Sequence, residues 1–203
     1  MESLALQEVS WMATKPLADD VRLIRRIACG DRQALAELYA CYQRTLFAYL
    51  LQLTPDYGLA EELLQDTLVA IWKSARSFEE RSSVLTWLIG IARRQAHNTL
   101  RQRKLPAADI SELEELPAPD PEPEAFALAS VARDELVRAF RRLAPVHREV
   151  LVLIFVQELS YQEAATVLAV PVGTVKSRLN HARRALRALL DAKEDTKNDH
   201  ANS

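Results

Sequence analysis

The sequence predicts an all-α protein made of two small helical domains joined by an acidic, proline-rich linker. Only 4 of the 203 residues are glycine and only 6% are aromatic, which disfavours an all-β fold. Alanine, leucine, arginine and glutamate, which favour helices, are abundant instead. Five of the nine prolines and seven carboxylates lie between residues 104 and 124, where the run Pro-Ala-Pro-Asp-Pro-Glu-Pro excludes a helix.

These observations divide the chain into five segments. The proline-rich, acidic stretch is expected to be a semi-extended linker, and the polar ends of the chain are expected to be mobile. The predicted segments are a mobile N-terminus over 1–17, a first domain over 18–103, the linker over 104–125, a second domain over 126–190 and a tail over 191–203.

Four helices are predicted in the first domain, because apolar residues recur there every three or four positions. Gly30 is expected to end the first helix, since glycine readily adopts the left-handed conformation found after a helix. Asp31 or a neighbour starts the second helix, and Pro55 interrupts the chain before the third. The predicted helices span residues 21–28, 32–53, 59–76 and 84–103.

A capping box and a tight turn indicate a helix-turn-helix in the second domain. Ser160 and Glu163 have the spacing at which each side chain bonds to the backbone amide of the other. Ala165 is small where the two helices would cross, and Val175 and Leu179 would anchor the second helix in the core. The helices predicted here span residues 133–143, 145–157, 160–168 and 173–190, with a turn at 169–170.

The charge distribution favours two contacts with a polyanion, although the net charge is −2. Residues 91–104 and residues 164–190 each carry five basic side chains and no acidic one. On a helical wheel, both sets lie opposite the apolar face, where a polyanion could follow them. In the first segment, the residues on this outward arc are Arg93, Arg94, His97, Arg101 and Lys104. In the second segment, the arc also includes groups able to reach base edges, and its residues are Thr174, Lys176, Ser177, Arg178, Asn180, His181, Arg183, Arg184 and Arg187.

Enzymatic, metal-binding and membrane functions are not expected. The sequence has no nucleophile–base pair, metal-ligand cluster or phosphate-binding loop, so we expect no catalytic residue, cofactor or metal. Cys29 and Cys41 are too few for a disulfide framework, and we expect buried or half-buried structural thiols in a cytoplasmic protein. No apolar run approaches the roughly 20 residues that span a bilayer, and no export signal is visible at the N-terminus.

Three segments resemble the extracytoplasmic-function (ECF) sigma factors of bacterial RNA polymerase, and they follow the order of that family. Ala-Glu-Glu-Leu-Leu-Gln-Asp-Thr-Leu-Val-Ala-Ile-Trp at 60–72 is similar to the part of region 2 that docks on the polymerase. Thr-Trp-Leu-Ile-Gly-Ile-Ala-Arg-Arg at 86–94 resembles the segment that engages the minus-ten element. Residues 149–153, 159–165 and 170–179 resemble region 4.

The resemblance implies a sigma factor that binds core polymerase and recognises the minus-ten and minus-thirty-five promoter elements. The implied core-binding residues are Glu61, Glu62, Gln65, Asp66, Val69 and Lys73. The implied minus-ten residues are Arg81, Arg93, Arg94, His97, Arg101 and Lys104. The loop 78–84 would capture an extruded base, and the nine residues named above from the last helix would contact the minus-thirty-five element.

The implied partners are the clamp of the largest polymerase subunit, the flap of the second subunit and promoter DNA, and the family allows for an anti-sigma factor. The acidic linker would run through the RNA exit path and mimic nucleic-acid charge. Some positions depart from the family pattern. Arg94 and Asn98 stand where Asn and Asp are frequent, which leaves the preferred minus-ten sequence open, and Ala169 replaces a frequent turn glycine.

The residues alone leave two other functions open. A helix-turn-helix repressor or activator would bind DNA without polymerase, although the two separate basic segments and the Glu-Glu-Leu-Leu-Gln-Asp helix disfavour it. A helical adaptor or anti-factor would act only through protein contacts, and its acid-free helices would be ordinary solvated faces.

Overall fold

A computed structural model describes residues 20–54, 56–103 and 135–201, which contain helices and no β-strand, as predicted. Residues 1–17, the linker 104–125 and with it Lys104 lie outside the described residues. A 3-10 turn, Ala75–Ser77, and a π-helical segment, Val152–Val156, follow the third and sixth helices. The helices are α1 (Asp20–Ala28), α2 (Arg32–Leu53), α3 (Tyr57–Ser74), α4 (Val84–Gln102), α5 (135–141), α6 (Pro145–Leu151), α7 (Tyr161–Leu168) and α8 (Val172–Ala201).

Helix α2 is the central element of the first domain, and α1, α3 and α4 all pack against it. Its apolar positions recur every three or four residues and form one face, as the periodicity predicts. The side chains of that face that are at most 1% exposed are Ala34, Leu38, Tyr42, Leu46, Tyr49 and Leu50.

The start of α2 is fixed by local sequence. Gly30 has a φ of +90°, a conformation that glycine adopts without a steric penalty. The carboxylate of Asp31 accepts hydrogen bonds from the amides of Gln33 and Ala34 at 2.9 and 3.1 Å. Both predicted boundary residues therefore act as expected.

The helix-turn-helix of the second domain consists of α7 and α8. The predicted capping box is present: Ser160 Oγ accepts from the Glu163 amide at 3.2 Å, and the Glu163 carboxylate accepts from the Ser160 amide at 3.0 Å. Ala169 has a φ of +54°, so the turn between the helices passes through a left-handed residue. This confirms the predicted turn.

The predicted helix over 145–157 is not uniform. The α-helix ends at Leu151 and a π-helical turn follows, in which the Gln157 amide donates to the Val152 carbonyl, five residues earlier, at 2.9 Å. The wider turn leaves Phe155 53% and Val156 44% exposed.

Helices α3 and α8 have different ends from those predicted, and α5 ends at 141 instead of 143. The sequence places the end of the last helix at 190, whereas α8 continues to Ala201, because residues 174–201 contain neither glycine nor proline. Helix α3 begins at Tyr57 instead of residue 59, because Asp56 caps it and accepts from the Leu59 amide at 3.0 Å. It ends at Ser74, and the 3-10 turn replaces its predicted last residues.

Both cysteines are exposed, which contradicts the prediction of buried or half-buried thiols. Cys29 follows the last residue of α1. Cys41 precedes the buried Tyr42 on α2, and a step of one residue turns a helical side chain by about 100°, away from the buried face.

The two domains pack together, α4 against α7 and α2 against α6. Their buried apolar residues form one continuous cluster. Within the three described ranges, every helix is too short or too polar to cross a membrane.

We expect Ala169→Gly to stabilise the protein. A left-handed L-residue costs roughly 1–2 kcal/mol and glycine loses about 0.5–1 kcal/mol more backbone entropy, so the free energy of unfolding should rise by about 0.5–1 kcal/mol. Urea unfolding followed by circular dichroism measures this change. As a control, Ala188→Gly at an exposed position of α8 should lower the same quantity by about 1 kcal/mol. An Ala169→Gly variant less stable than wild type would contradict the prediction.

Candidate functional site

Helix α3 presents the six predicted polymerase-binding residues on one exposed face. Positions 61, 65, 69 and 73 follow one another at every fourth residue, and positions 62 and 66 lie beside that row. All six side chains are exposed, including the apolar Val69 at 50%. The members of this α3 face are Glu61, Glu62, Gln65, Asp66, Val69 and Lys73.

An aromatic groove that sequence reasoning missed adjoins the α3 face. It lies between α2 and α3, has a volume of about 320 Å³, and is lined by Tyr39, Phe47 and Tyr57 together with Glu61 and Gln65. The rings of Phe47 and Tyr57 meet edge to face with their centres 5.0 Å apart, and Tyr57 is 50% exposed. The polar α3 face is therefore continuous with apolar surface of the kind that protein partners bury.

The basic arc of α4 is only partly open to solvent. Arg94 and Arg101 are exposed, and so is Arg81 in the preceding loop. The side chain of Arg93, in contrast, is only 21% exposed and donates from Nε to the Glu149 carboxylate at 2.8 Å. The expectation that the whole arc faces solvent is wrong at Arg93, because α6 of the second domain covers it.

Glu149 links the two domains. Its buried carboxylate accepts hydrogen bonds from the Tyr49 hydroxyl of α2 at 3.0 Å and from Arg93 of α4 at 2.8 Å. Burial and the charge of Glu149 raise the pKa of Tyr49 well above its usual value. His97 Nε2 lies 4.0 Å from the same carboxylate. Burial and Arg93 nevertheless lower the pKa of His97, against the effect of Glu149, so this imidazole is mainly neutral at pH 7.

Glu163 forms a second link between the domains. Besides capping α7, its carboxylate accepts hydrogen bonds from Ser83 Oγ and Thr86 Oγ1 of the first domain, both at 2.9 Å. Ser83 is itself the cap of α4 and accepts from the Thr86 amide at 3.2 Å. Desolvation raises the pKa of Glu163, but the bonds from Ser160, Ser83 and Thr86 outweigh it and hold the pKa below its ordinary value. The starts of α4 and α7 therefore share one carboxylate.

Helix α8 presents the predicted recognition surface. Thr174 and Arg178 are half-buried, and the other seven predicted residues of this surface are exposed. The inward residues Val175, Leu179 and Ala182 are at most 3% exposed, as the helical wheel predicts. The outer face is polar and cationic, which suits a helix that enters the major groove of DNA.

Two of the cations on α8 lie over aromatic rings. Lys176 Nζ is 5.8 Å from the ring centre of Tyr161, and the guanidinium carbon of Arg183 is 5.1 Å from that of Phe155. Exposed contacts of this kind contribute only about 0.5–1 kcal/mol. Such weak contacts do not fix either cation in place.

Sequence reasoning also missed the residues at the junction of the domains. Tyr49 fits the apolar stripe of α2, and its bond to Glu149 spans 100 positions of sequence, which no local pattern reports. Glu163 is detectable as a capping residue, but the second use of its carboxylate is not. Among the described residues, no group of three or more His, Cys, Asp or Glu side chains is arranged to hold a metal ion.

Protein-family models match both domains. The model described as Sigma-70 region 2 covers residues 38–105, which include the α3 face and the basic arc of α4. The model described as Sigma-70, region 4 covers residues 133–186, which include the helix-turn-helix. The fold and these matches define a two-domain helical sigma factor.

Similar proteins indicate which group of sigma factors this chain resembles. The ECF RNA polymerase sigma factor SigK of Mycobacterium tuberculosis is 30% identical over 181 residues, which cover 83% of this chain and 92% of SigK. The ECF RNA polymerase sigma factor RpoE of Cereibacter sphaeroides is 32% identical over 174 residues, with coverage of 83% and 93%.

Solved structures agree with this assignment. CnrH, in complex with the cytosolic domain of CnrY, has a TM-score of 0.63 and 26% identity, and the match covers 85% of this chain and 97% of CnrH. The sigma factor RpoE of Bartonella quintana, in complex with the anti-sigma factor NepR, has a TM-score of 0.62 and 27% identity, with coverage of 77% and 96%.

The chain therefore belongs to the ECF RNA polymerase sigma factors, which confirms the resemblance seen in its three sequence segments. It is a sigma factor that directs promoter-specific transcription initiation. Members of this family act as transcription initiation factors.

We expect Glu149→Ala to destabilise the protein strongly, because it leaves Tyr49 and Arg93 without their acceptor. Removal of one member of a buried ion pair typically costs about 3–5 kcal/mol, and the partial exposure of Arg93 favours the lower end. The matched control is Glu62→Ala, which breaks an exposed pair with Arg103 at 2.6 Å and should cost under about 1 kcal/mol. Urea unfolding measures both, and equal losses would contradict a special role for Glu149.

Proposed function

We propose that the α3 face binds core RNA polymerase and that its partner surface is the clamp of the largest subunit. The carboxylates of Glu61 and Asp66 on this face suit a partly basic partner, whereas that of Glu62 is already bonded to Arg103 at 2.6 Å. The adjoining groove offers the rings of Phe47 and Tyr57 to an apolar anchor of the partner. This exposed face, which combines polar and apolar surface on one helix of a sigma factor, is the observation that carries the proposal.

The minus-ten element is assigned to α4 and to the loop before it. Arg94 and Arg101 are exposed and can contact phosphates. Arg81 is exposed as well, but its Nε is bonded to Glu79 at 2.7 Å and would have to exchange that partner. Arg93 can do so only when Glu149 releases it, since its guanidinium is bonded to that carboxylate. His97 and Lys104 complete the proposed set, and the loop 78–84 is proposed to capture an extruded base.

The minus-thirty-five element is assigned to the nine outward residues of α8. Ser177 and Arg178 lie near the N-terminal end of the helix, which reaches base edges when a recognition helix enters the groove. Arg184 and Arg187 lie further along the helix and are assigned to phosphates. His181 has no metal-ligand role in this proposal and is a polar DNA contact.

Binding of both promoter elements requires the two domains to separate. Arg101 of α4 and Arg178 of α8 line the same cleft. Positions −35 and −10 are about 25 base pairs apart. This separation is roughly 85 Å along the duplex at ~3.4 Å per base pair. The α3 face is already exposed, so polymerase binding needs no such separation and can precede promoter binding.

A single observation supports each of the remaining proposed partners. The exposed Phe155 and Val156 of the π-helical segment support contact with the flap of the second polymerase subunit. The structure of RpoE of Bartonella quintana with the anti-sigma factor NepR supports an anti-sigma partner. We also propose a cytoplasmic location, no covalent chemistry, and domains bounded at 18–103 and 126–190.

Run-off transcription with purified core polymerase tests the function. Promoter-dependent transcripts that require this protein would support a sigma factor. Tight operator binding without core, and no such transcripts, would favour a helix-turn-helix repressor. Neither DNA binding nor transcripts would favour an adaptor.

The double substitution Gln65→Ala with Asp66→Lys should weaken core binding at least about tenfold, because it removes a polar contact and reverses a charge on the α3 face. Helicity should not change, since both side chains are exposed. Titration of labelled core polymerase measures the affinity. Gln33→Ala with Asp191→Lys makes the same changes at exposed positions outside this face and should bind core like wild type. Undiminished binding by the first variant would show that the α3 face is not the docking surface.

Arg178→Ala and Arg187→Ala should have different effects on minus-thirty-five recognition. Loss of a base-edge contact costs about 1–3 kcal/mol and changes the preferred sequence, whereas loss of a phosphate contact weakens all sequences alike and lowers the salt slope by about one. Selection of a randomised upstream element with holoenzyme measures both effects. An unchanged preference for Arg178→Ala together with a changed one for Arg187→Ala would mean that the helix is oriented differently in the groove.

A further inference from the structure

A basic cleft of about 440 Å³ lies where the two domains meet. The first domain contributes Arg93 and Arg101 from α4, and the second contributes Arg148 from α6 and Arg178 from α8. Glu149 also lines the cleft, but its carboxylate is already bonded to Arg93 and Tyr49. The cleft therefore carries an excess of positive charge drawn from both domains.

Arg148 is the unusual member of this group. It is only 7% exposed, and its Nε is buried with no hydrogen-bond partner among the described residues. Burial lowers the pKa of this guanidinium, which means that the surroundings disfavour its charge. A cation that is largely removed from water and has no bonded carboxylate is costly. An anion in the cleft, which Arg148 lines, would compensate the charge of this guanidinium.

The chemistry of the cleft fits a phosphate group attached to a less polar body. Guanidinium groups bind phosphate oxygens in pairs, with charge-assisted hydrogen bonds. Leu53, Leu100 and Val146 also line the cleft and offer an apolar wall. The volume falls in the range of about 300–1,000 Å³ that is typical of small-molecule sites.

We propose that this cleft binds a phosphorylated small molecule of the nucleotide class and that the bound molecule holds the two domains together. Arg148 and Arg178 would bind its phosphates from one side and Arg101 from the other. Because the ligand needs residues of both domains, it binds only the closed arrangement and shifts the equilibrium towards it. The consequence for promoter binding rests on the proposed function, since Arg101 and Arg178 are proposed DNA contacts.

Isothermal titration calorimetry on the full chain tests the binding site without DNA or polymerase. The probes are ATP, GTP, inorganic pyrophosphate and inorganic phosphate, each in a buffer free of phosphate and divalent cations. A nucleotide that binds more tightly than pyrophosphate supports a site that contacts both the phosphates and the rest of the nucleotide. If pyrophosphate binds as tightly as both nucleotides, or if no probe binds at millimolar concentration, the proposed ligand class is wrong.

Substitutions in each domain test whether the site bridges them. Arg148→Met in the second domain and Arg101→Gln in the first should each weaken nucleotide binding about tenfold or more, through loss of a charge-assisted bond. Arg148→Lys should retain part of the affinity. Arg32→Gln is the matched control, because this exposed arginine lies at the other end of α2, roughly 30 Å from Leu53 at ~1.5 Å per residue. Wild-type affinity in Arg148→Met, or in Arg101→Gln, would overturn the proposal.

A second measurement separates this proposal from the assignment of the promoter contacts. In small-angle scattering, the radius of gyration of wild-type protein with saturating nucleotide should be no larger than that of the free protein. The midpoint temperature of thermal unfolding should rise. The same nucleotide should weaken promoter binding by holoenzyme. If nucleotide binds and stabilises the protein but does not weaken promoter binding, the proposed nucleotide site stands. The proposed role of Arg101 and Arg178 in DNA binding is then contradicted. An unrelated DNA duplex that binds in place of every small probe would overturn the small-molecule site.

Discussion

The arrangement of the two domains depends on the buried carboxylate of Glu149. An ionised carboxylate that is removed from water is stable only when donors replace its hydration. For Glu149 those donors are Tyr49 and Arg93, and both belong to the other domain. Separation of the domains therefore exposes the carboxylate and a polar core residue at the same time. Glu163 repeats this principle at the starts of α4 and α7, so the interface is polar at two points within an apolar surround.

The closed arrangement leaves the proposed polymerase-binding surface exposed but covers part of the proposed promoter-binding surface. The α3 face and the aromatic groove lie away from the junction and stay exposed. Arg93 is held by the second domain, and Arg101 and Arg178 line the same cleft. A sigma factor in this state can meet the polymerase with its full docking surface, while its promoter surface is incomplete. Docking at the α3 face alone does not favour the open arrangement, because that face is exposed in both arrangements. Opening the junction requires contacts that only the separated domains can make.

The features that could be predicted from sequence are those governed by local rules. The caps at Asp31 and Ser160 and the turn at Ala169 follow from spacing within a few residues. The α3 face was expected from the resemblance to the family. The π-helical segment was not predictable, because α- and π-turns share the same apolar periodicity over so short a stretch. The burial of Arg93 was not predictable either, since a helical wheel contains no information about a second domain. Long-range polar contacts arise from tertiary packing, and the sequence pattern of each helix is compatible with many packings.

The shared carboxylate of Glu163 has a consequence for how this protein can evolve. The capping box of α7 already uses a glutamate at the third helical position, so the contact with the first domain places little new demand on that residue. Loss of Glu163 would weaken the start of the helix-turn-helix as well. Natural variation in how firmly the domains close should therefore concentrate on the donors. Among the donors from the first domain, Thr86 is the more replaceable, because Ser83 also caps α4.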